Sequence, residues 1–139
     1  MPYFSKSSKV KLDTCDPRLM ELFYTVIDSW DCKIAAGHRT ADQQFKEYKK
    51  GRKEINGIWQ IVDKDKVTTY LDGYIKSSDH QTYPSKAVDV WPLPLDWNNI
   101  IMWKEFASYV KGVAAFLKIP VLHGGDWIKP KDYPHWYLK

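Results

Sequence analysis

Residues 77–92 read SSDHQTYPSKAVDVWP, and we expect the rest of the chain to converge on this stretch. It begins as a polar loop that carries His80, and it ends in a short apolar run whose β-branched and aromatic residues are typical of a strand. Asp89 interrupts that run. A carboxylate among residues that favour burial costs free energy unless a positive charge compensates it. A cation that Asp89 and His80 hold together would provide that charge.

The end of the chain offers a second histidine and a second acid. Residues 132–139 read DYPHWYLK, so that Asp132 lies three residues before His135. Two histidines and a carboxylate, with a spare acid beside them, are the ligand inventory of a catalytic zinc site, in which one position stays open for water. Proline favours extended backbone at the residue before it, so Asp132 can lie near His135 without facing the same way. An acid in that place can take a proton from the water and return it to a leaving amine.

Each of these residues also has a plainer interpretation. A single histidine is more often a surface or core residue than a metal ligand, and an isolated acid near a chain end carries little information. Asp89 is the most informative member, because burial makes its charge costly unless it is paired. The metal hypothesis therefore depends on the set of four residues and not on any one of them.

The composition predicts one folded domain over residues 1–139. The chain has 139 residues, of which 44% are hydrophobic and 15% aromatic, so a core can form. No run of eighteen apolar residues occurs, and we expect no membrane insertion. The first residues lack the apolar segment of a signal peptide, which indicates synthesis in a cytoplasm. The net charge of +4 favours contact with anionic polymers, such as nucleic acid or cell-wall polymers, without choosing among them.

The two cysteines, Cys15 and Cys32, do not form a C-x-x-C pair, so a cysteine metal site is not indicated. They flank the first predicted helix. The sequence leaves open a disulfide between them, although a cytoplasmic origin favours free thiols.

Helix and strand signals alternate along the chain. Asp16 and Pro17 suit the start of a helix, and Thr40 with Gln43 forms a capping box for another. Arg39 then lies between a strand end and a helix start, where side chains project into clefts. The predicted segments are an irregular N-terminal arm over 1–15, helices over 17–30, 41–50 and 99–117, strands over 32–37, 86–91 and 119–123, a final strand from about 134, and long loops with room for one hairpin within 51–79. This order favours an α+β fold with a small antiparallel sheet and about three helices.

Four short motifs occur in a fixed order: SDH at 78–80, PSKAVD at 84–89, GGDW at 124–127 and DYPHW at 132–136. Together they resemble the signature of the M15 zinc peptidases, which include the VanY-like D-Ala-D-Ala carboxypeptidases. The resemblance is closest to the bacteriophage L-alanyl-D-glutamate endopeptidases, the single-domain endolysins, because GHRT at 37–40 also fits that group. It runs from about residue 17 to the last residue. It implies the hedgehog/DD-peptidase α+β fold.

The same resemblance implies a role for each matching residue. The implied zinc ligands are His80, Asp89 and His135. Asp132 is the implied general base, although the wider family often has a glutamate in an E-x-x-H arrangement there. Arg39 is implied to bind a substrate carboxylate or to stabilise the oxyanion, and Ser78 is assigned to substrate binding.

Three further polar residues near the motifs receive no ligand role. We interpret His38 as a structural neighbour of Arg39, and His123 as a packing residue or one that supports the site. Asp126 either braces the site by hydrogen bonds or only shapes the bend at the double glycine.

The sequence therefore predicts a zinc-dependent peptidoglycan hydrolase that cuts the stem peptide between L-Ala and D-Glu. As a phage lysis enzyme it would wait in the host cytoplasm and act in the periplasm or cell wall, as a monomer without a nucleic-acid partner. One alternative is a D,D-carboxypeptidase that removes terminal D-Ala. Another is a non-catalytic module that binds cell wall or nucleic acid through its basic charge.

Overall fold

The computed structural model describes residues 2–128 and 131–139. Within these ranges the chain forms an α+β fold, as the sequence predicts. The helices are α1 (Lys6–Leu12), α2 (Pro17–Val26), α3 (Ala41–Lys49) and α4 (Ile100–Leu117). The strands are β1 (Cys32–Ala36), β2 (Arg52–Ile55), β3 (Ile58–Ile61), β4 (Ala87–Pro92), β5 (Val121–His123) and β6 (His135–Leu138). Short 3-10 turns lie at Lys64–Lys66, Asp79–Gln81 and Gly124–Asp126.

The main sheet has the strand order β1-β4-β6-β5, and each neighbouring pair is antiparallel. Strand β4 therefore has a neighbouring strand on each side. This central position explains why its sequence is the apolar run from which the strand was predicted. Val88 and Val90 are fully buried in the core. Side chains alternate along a strand, so Asp89 and Trp91 project from the opposite face of the sheet. The alternation that buries Val88 and Val90 therefore also determines which face of the sheet carries Asp89. We call this second face the functional face.

The core lies between the buried face of the sheet and the helices. It is formed largely by α2, α4 and the inner strands, and its members include Leu19, Leu22, Phe23, Phe106, Val110 and Trp136. Helix α2 is capped by Asp16, whose side chain accepts a hydrogen bond from the Arg18 N–H. Helix α3 has the predicted capping box. These caps place both helices where the sequence predicts them, although α2 ends at Val26 and residues 27–30 form turns.

A second, two-stranded sheet is the hairpin of β2 and β3. Its turn residues, Asn56 and Gly57, have φ angles of 52° and 79°. Positive φ at both central positions is the geometry of a tight hairpin turn that matches the twist of the flanking strands, and Asn-Gly is the preferred pair for it. The predicted hairpin within 51–79 is confirmed.

The expectation of an irregular arm over residues 1–15 is wrong, because residues 6–12 form helix α1. Ser5 caps this helix by accepting a hydrogen bond from the Ser8 N–H. Phe4 and Leu12 are buried in the core, and the Ser8 hydroxyl accepts the Ile34 N–H of β1. A helix of two turns is too short to show a repeating apolar pattern, and it is stabilised by this packing more than by its own propensity.

Both cysteine thiols are buried and free. Burial raises the pKa of Cys15 and of Cys32 to about 12 in each case, so both thiols stay protonated and unreactive near neutral pH. No helix among the described residues is both long enough and apolar enough to cross a bilayer.

The packing of α1 leads to a stability prediction. Leu12→Ala should lower the free energy of unfolding by about 2–5 kcal/mol, because Leu12 is fully buried and its removal leaves a cavity. Val10→Ala is the matched control, since Val10 lies on the same helix but is 61% exposed. Urea denaturation measures both variants. Equal, small effects of the two changes would mean that α1 is not docked on the core.

Candidate active site

Three side chains from separate parts of the chain meet on the functional face of the sheet. Asp89 lies on β4, and His135 is its direct partner at the start of β6. His80 lies in the 3-10 turn Asp79–Gln81 that precedes β4. Ser78 caps this turn by accepting the His80 N–H, and the Arg39 N–H donates to the His80 carbonyl oxygen at 2.8 Å. The sheet register and an anchored turn thus bring the three residues together.

The distances within this cluster are short. His80 Nε2 lies 3.3 Å from Asp89 Oδ1, and His135 Nδ1 lies 3.2 Å from the same oxygen. One ligand atom from each residue lies within 4.8 Å of the other two. The prediction that these three side chains meet is confirmed.

The hydrogen bonds of His80 test whether the cluster suits a metal ion. His80 Nδ1 lies 2.7 Å from the Gly37 carbonyl oxygen, which can only accept, so Nδ1 carries the proton. Nε2 is then left with a lone pair that faces a carboxylate oxygen. Within the described ranges it is one of two buried side-chain polar atoms without a hydrogen-bond partner. Two facing lone pairs repel each other unless a cation lies between them.

The spacing and the donor types also suit zinc. Zinc bonds of 2.0–2.2 Å in a tetrahedral arrangement separate neighbouring ligand atoms by about 3.3–3.5 Å. The two contacts to Asp89 Oδ1 are close to this separation. Two imidazoles and one carboxylate leave a fourth position open, which is the arrangement of catalytic rather than structural sites. The residues present therefore fit the ion that the sequence predicts.

Arg39 fixes the carboxylate of Asp89 from its other side. One guanidinium nitrogen donates to Asp89 Oδ2 at 3.1 Å, and another donates to Gln44 Oε1 at 3.2 Å. In the absence of a metal ion, burial alone would raise the pKa of Asp89, but positive charge at His80 and His135, together with the His135 hydrogen bond, outweighs burial and holds that pKa well below its usual range. The cluster therefore contains a carboxylate that stays ionised.

Asp132 lies in the same cavity, at the base of the last loop. Its N–H donates to the Gly124 carbonyl oxygen, and its own carbonyl accepts the His135 N–H. A Cβ atom on Gly124 would lie 2.5 Å from the Asp132 carbonyl oxygen, so only a glycine lets the loop close this tightly. Burial, followed by repulsion from Asp89, raises the pKa of Asp132 to about 6. A carboxylate with a pKa near neutrality is suited to accept and return a proton.

His135 is held by aromatic neighbours. The Tyr137 ring stacks on it with centroids 5.3 Å apart, and the Trp127 ring lies at the same distance. The Trp127 indole N–H donates to the Tyr137 hydroxyl, which ties the two rings together. Burial lowers the pKa of His135, but its hydrogen bond with Asp89 and the nearby negative charge raise it overall.

A cavity of about 950 Å³ opens above these groups. Its lining includes the cluster together with Arg39, Ser78 and Asp132. Every residue that the sequence assigns to the site therefore borders one space. The structure also adds Gln44, to which the sequence assigned no role.

Gln44 is 1% exposed and links helix α3 to the loop that follows β3. Its amide nitrogen donates to the Thr69 hydroxyl and to the Leu71 carbonyl oxygen, while its oxygen accepts from Arg39. Helical spacing places Gln44 on the buried face of α3. This position is the sequence feature that points to its role, since a buried amide needs several hydrogen-bond partners.

The other polar residues near the motifs lie outside the cluster. The His38 ring packs against Tyr83 at 5.3 Å. His123 stacks on Trp136 at 3.9 Å and is hydrogen-bonded through Nε2 to a backbone carbonyl. Asp126 pairs with Lys111 at 2.8 Å on the surface, so it shapes the bend and does not brace the site. The interpretation of both histidines as structural residues is consistent with these contacts.

The fold and the cavity define a small α+β hydrolase with a His-Asp-His cluster and an adjacent acid. A family profile described as "Phage L-alanyl-D-glutamate peptidase" matches residues 1–137, and the chain belongs to that family. The protein is therefore a peptidase that acts on peptidoglycan, which confirms the predicted enzyme class.

Comparison with solved structures agrees on the fold. The L-Ala D-Glu endopeptidase ChiX from Serratia marcescens superposes with a TM-score of 0.70 at 19% sequence identity, over 99% of this chain and 91% of that one. This likeness confirms the predicted α+β fold. No curated protein sequence gives a significant match.

The geometry predicts one zinc site per chain. After chelation and incubation with zinc sulfate, the wild type should retain about one zinc ion and unfold at a higher temperature, whereas His135→Ala should retain little and show no shift. His38→Ala is the matched control, because His38 lies outside the cavity lining. Elemental analysis and thermal denaturation measure these effects. Equal zinc content in His135→Ala and the wild type would contradict the assignment.

The pKa of Asp132 predicts a stability difference in the metal-free protein. Its folded pKa of about 6 exceeds the ordinary value of 3.8, so ionisation costs stability as pH rises from about 4 to about 6. Asp132→Asn removes this cost. In chelator at pH 7.5 the variant should be more stable than the wild type by at most about 3 kcal/mol, and the difference should vanish below about pH 4.

Asp126→Asn is the control for this measurement. A hydrogen bond from Lys111 lowers the pKa of Asp126, so its replacement should be neutral or slightly destabilising at pH 7.5. Denaturant titrations at several pH values provide the comparison. If Asp132→Asn were less stable than the wild type at pH 7.5, the claim that the buried Asp132 carboxylate destabilises the metal-free protein would be wrong.

Proposed function

We propose that this protein is a zinc-dependent peptidase, formed by a single domain, that hydrolyses the L-Ala–D-Glu bond of the peptidoglycan stem peptide. The observation that carries the proposal is the meeting of His80, Asp89, His135 and Asp132 at one cavity in a chain of the phage L-alanyl-D-glutamate peptidase family. The structural neighbour ChiX is named as an endopeptidase for the same bond, which supports the proposal.

His80, Asp89 and His135 would hold the zinc ion. When bound, the ion supplies a Lewis acid that polarises the scissile carbonyl and lowers the pKa of water. Arg39 keeps Asp89 in place through its free carboxylate oxygen, and the Gly37 carbonyl fixes the ring orientation of His80. Such supporting hydrogen bonds orient ligands and tune their basicity.

Asp132 moves the proton. It removes a proton from the attacking water as the water oxygen bonds to the L-Ala carbonyl carbon. It then gives that proton to the D-Glu nitrogen as the carbon–nitrogen bond breaks, so that one carboxyl group and one amine are formed. A carboxylate with a raised pKa is a stronger base than an exposed one, while it remains largely ionised at neutral pH.

Arg39 and Ser78 would contact the substrate. Two guanidinium nitrogens of Arg39 are already bound to Asp89 and Gln44, and its remaining N–H groups can meet a substrate carboxylate or the developing oxyanion. The Ser78 hydroxyl accepts the His80 N–H and keeps its own proton to donate to the peptide. Both residues line the cavity.

The family assignment supports a role in phage lysis. In this role the enzyme is made in the host cytoplasm and meets its substrate in the periplasm or cell wall after release. We expect it to act as a monomer on the stem peptide, without a nucleic-acid partner.

Digestion of purified peptidoglycan tests the function. Mass spectrometry should detect released peptides that begin with D-Glu. Asp132→Asn should lower the rate at least about 100-fold while zinc content is retained, because the proton acceptor is lost. His135→Ala should lose both zinc and activity.

Other products would contradict the proposal in distinct ways. Release of free D-Ala with an intact L-Ala–D-Glu bond would indicate the D,D-carboxypeptidase. Wall binding that survives chelation and is removed by salt, without any cleavage, would indicate the non-catalytic module.

A further inference from the structure

Part of the cavity is lined by rings that the proposed chemistry does not use. We call these four residues the aromatic wall: Trp91, Trp97, Trp103 and Tyr133. Trp97 stacks on Trp103 with centroids 5.0 Å apart, and its edge meets Trp91 at 5.6 Å. Tyr133 continues the wall at 6.4 Å from Trp103. The wall is therefore one connected surface.

The wall is rigid, yet part of it is open to solvent. Trp103 is 2% exposed and its indole N–H donates to the Asp96 carbonyl oxygen at 3.0 Å. Trp97, by contrast, is 52% exposed. A large aromatic ring that is held in place at a cavity and left half exposed is typical of a ligand-binding surface.

The sheet register fixes the position of the wall relative to the proposed reaction. Trp91 follows Asp89 by two residues on β4, so both side chains lie on the same face about 7 Å apart. Tyr133 directly follows Asp132. The wall therefore begins next to a proposed metal ligand and next to the proposed base.

Arg39 lies on the other side of Asp89. Strand β1 runs antiparallel to β4, with Lys33 opposite Trp91 and Ala36 opposite Asp89. The chain beyond Ala36 therefore continues away from Trp91 toward Arg39 and helix α3. The loop that contains Thr69 is hydrogen-bonded to α3 on this side.

The cavity lining on this second side is polar and positively charged. We call it the basic arm, and it consists of Arg39, Lys50 and Lys64, with Thr68 and Thr69 among them. One acid, Glu47, also lines this side and pairs with Lys50 at 2.9 Å, so the net positive charge comes from Arg39 and Lys64. The cavity thus has two chemically different ends, with the cluster and Asp132 between them.

We propose that the aromatic wall binds the sugar that carries the stem peptide, and that the basic arm binds the carboxylates beyond the scissile bond. This inference rests on the proposed function. In peptidoglycan the L-Ala amine is joined through a lactyl group to an N-acetylated amino sugar, so a pyranose ring lies one residue from the L-Ala–D-Glu bond. The D-Glu residue carries a free carboxylate next to the scissile nitrogen.

The chemistry of each end suits its occupant. One face of a pyranose ring presents C–H groups with partial positive charge, and the face of an indole ring is negative and apolar, so the two stack. Carboxylates pair with guanidinium and ammonium groups. The substrate therefore lies across the cavity in one direction, with its glycan over Trp97 and its peptide carboxylates over the basic arm.

Two substrates with the same scissile bond test this assignment. One is the disaccharide-linked stem peptide, and the other is the same peptide with an acetyl group in place of the sugar. Trp97→Ala should lower the ratio of their kcat/KM values, sugar-linked over acetylated, by about 5- to 10-fold. Trp97→Phe keeps an aromatic face and should recover most of the ratio. Phe116→Ala, an exposed ring outside the cavity lining, should leave the ratio at the wild-type value.

An unchanged ratio in Trp97→Ala, including an equal loss on both substrates, would overturn the sugar subsite. Failure of the wild type to cut the shared bond in either substrate would instead overturn the proposed function. A separate binding measurement then decides the subsite, by nuclear magnetic resonance of the indole N–H groups in Asp132→Asn with the peptide-free disaccharide. Shifts that disappear with Trp97→Ala support the subsite, and the absence of shifts overturns it.

Discussion

The arrangement of the candidate site depends on one carboxylate oxygen. Oδ1 of Asp89 faces a ring nitrogen of His80 and a ring nitrogen of His135, at 3.3 and 3.2 Å. A largely enclosed anion is stable only where positive charge is supplied, and Arg39 supplies it at Oδ2. At Oδ1, between the two imidazoles, the positive charge comes from protons or from a metal ion. The lone pair of His80 Nε2 lacks a hydrogen-bond partner, which favours the metal ion. The rest of the site supports this arrangement.

The fold satisfies that constraint through its sheet. Val88 and Val90 bury one face of β4, and this burial fixes the register that turns Asp89 toward the cavity. Pairing with β6 then places His135 opposite Asp89. A one-residue slip of either strand would move a ligand to the core side. The register of the strands therefore determines both the packing of the core and the geometry of the site.

Local signals predicted most of the elements. The Asp16-Pro17 start and the Thr40 capping box predicted α2 and α3 because helix ends depend on neighbouring residues. The end of α2 was placed four residues too late, since Ile27 and Trp30 keep the apolar spacing although residues 27–30 form turns. Helix α1 was missed because two turns give no periodic pattern.

The candidate site was predicted as a set of residues but not as a set of contacts. The resemblance identified the cluster, whose members the structure brings together. The pairing of Arg39 with Asp89 joins residues fifty positions apart, and nothing in the local sequence specifies it. The aromatic wall likewise joins Tyr133 of the final loop to Trp91, Trp97 and Trp103, which lie near one another in the sequence. Such contacts follow from the sheet register, which a single sequence does not reveal.

The central claim is that one ion sits among three side chains from distant parts of the chain. Anomalous diffraction at the zinc edge, from crystals of the wild type grown with zinc, tests it most directly. We predict one strong peak within about 2.0–2.2 Å of His80 Nε2, His135 Nδ1 and an oxygen of Asp89. A zinc-loaded crystal whose peak lies elsewhere, with these three side chains free of metal, would contradict the account.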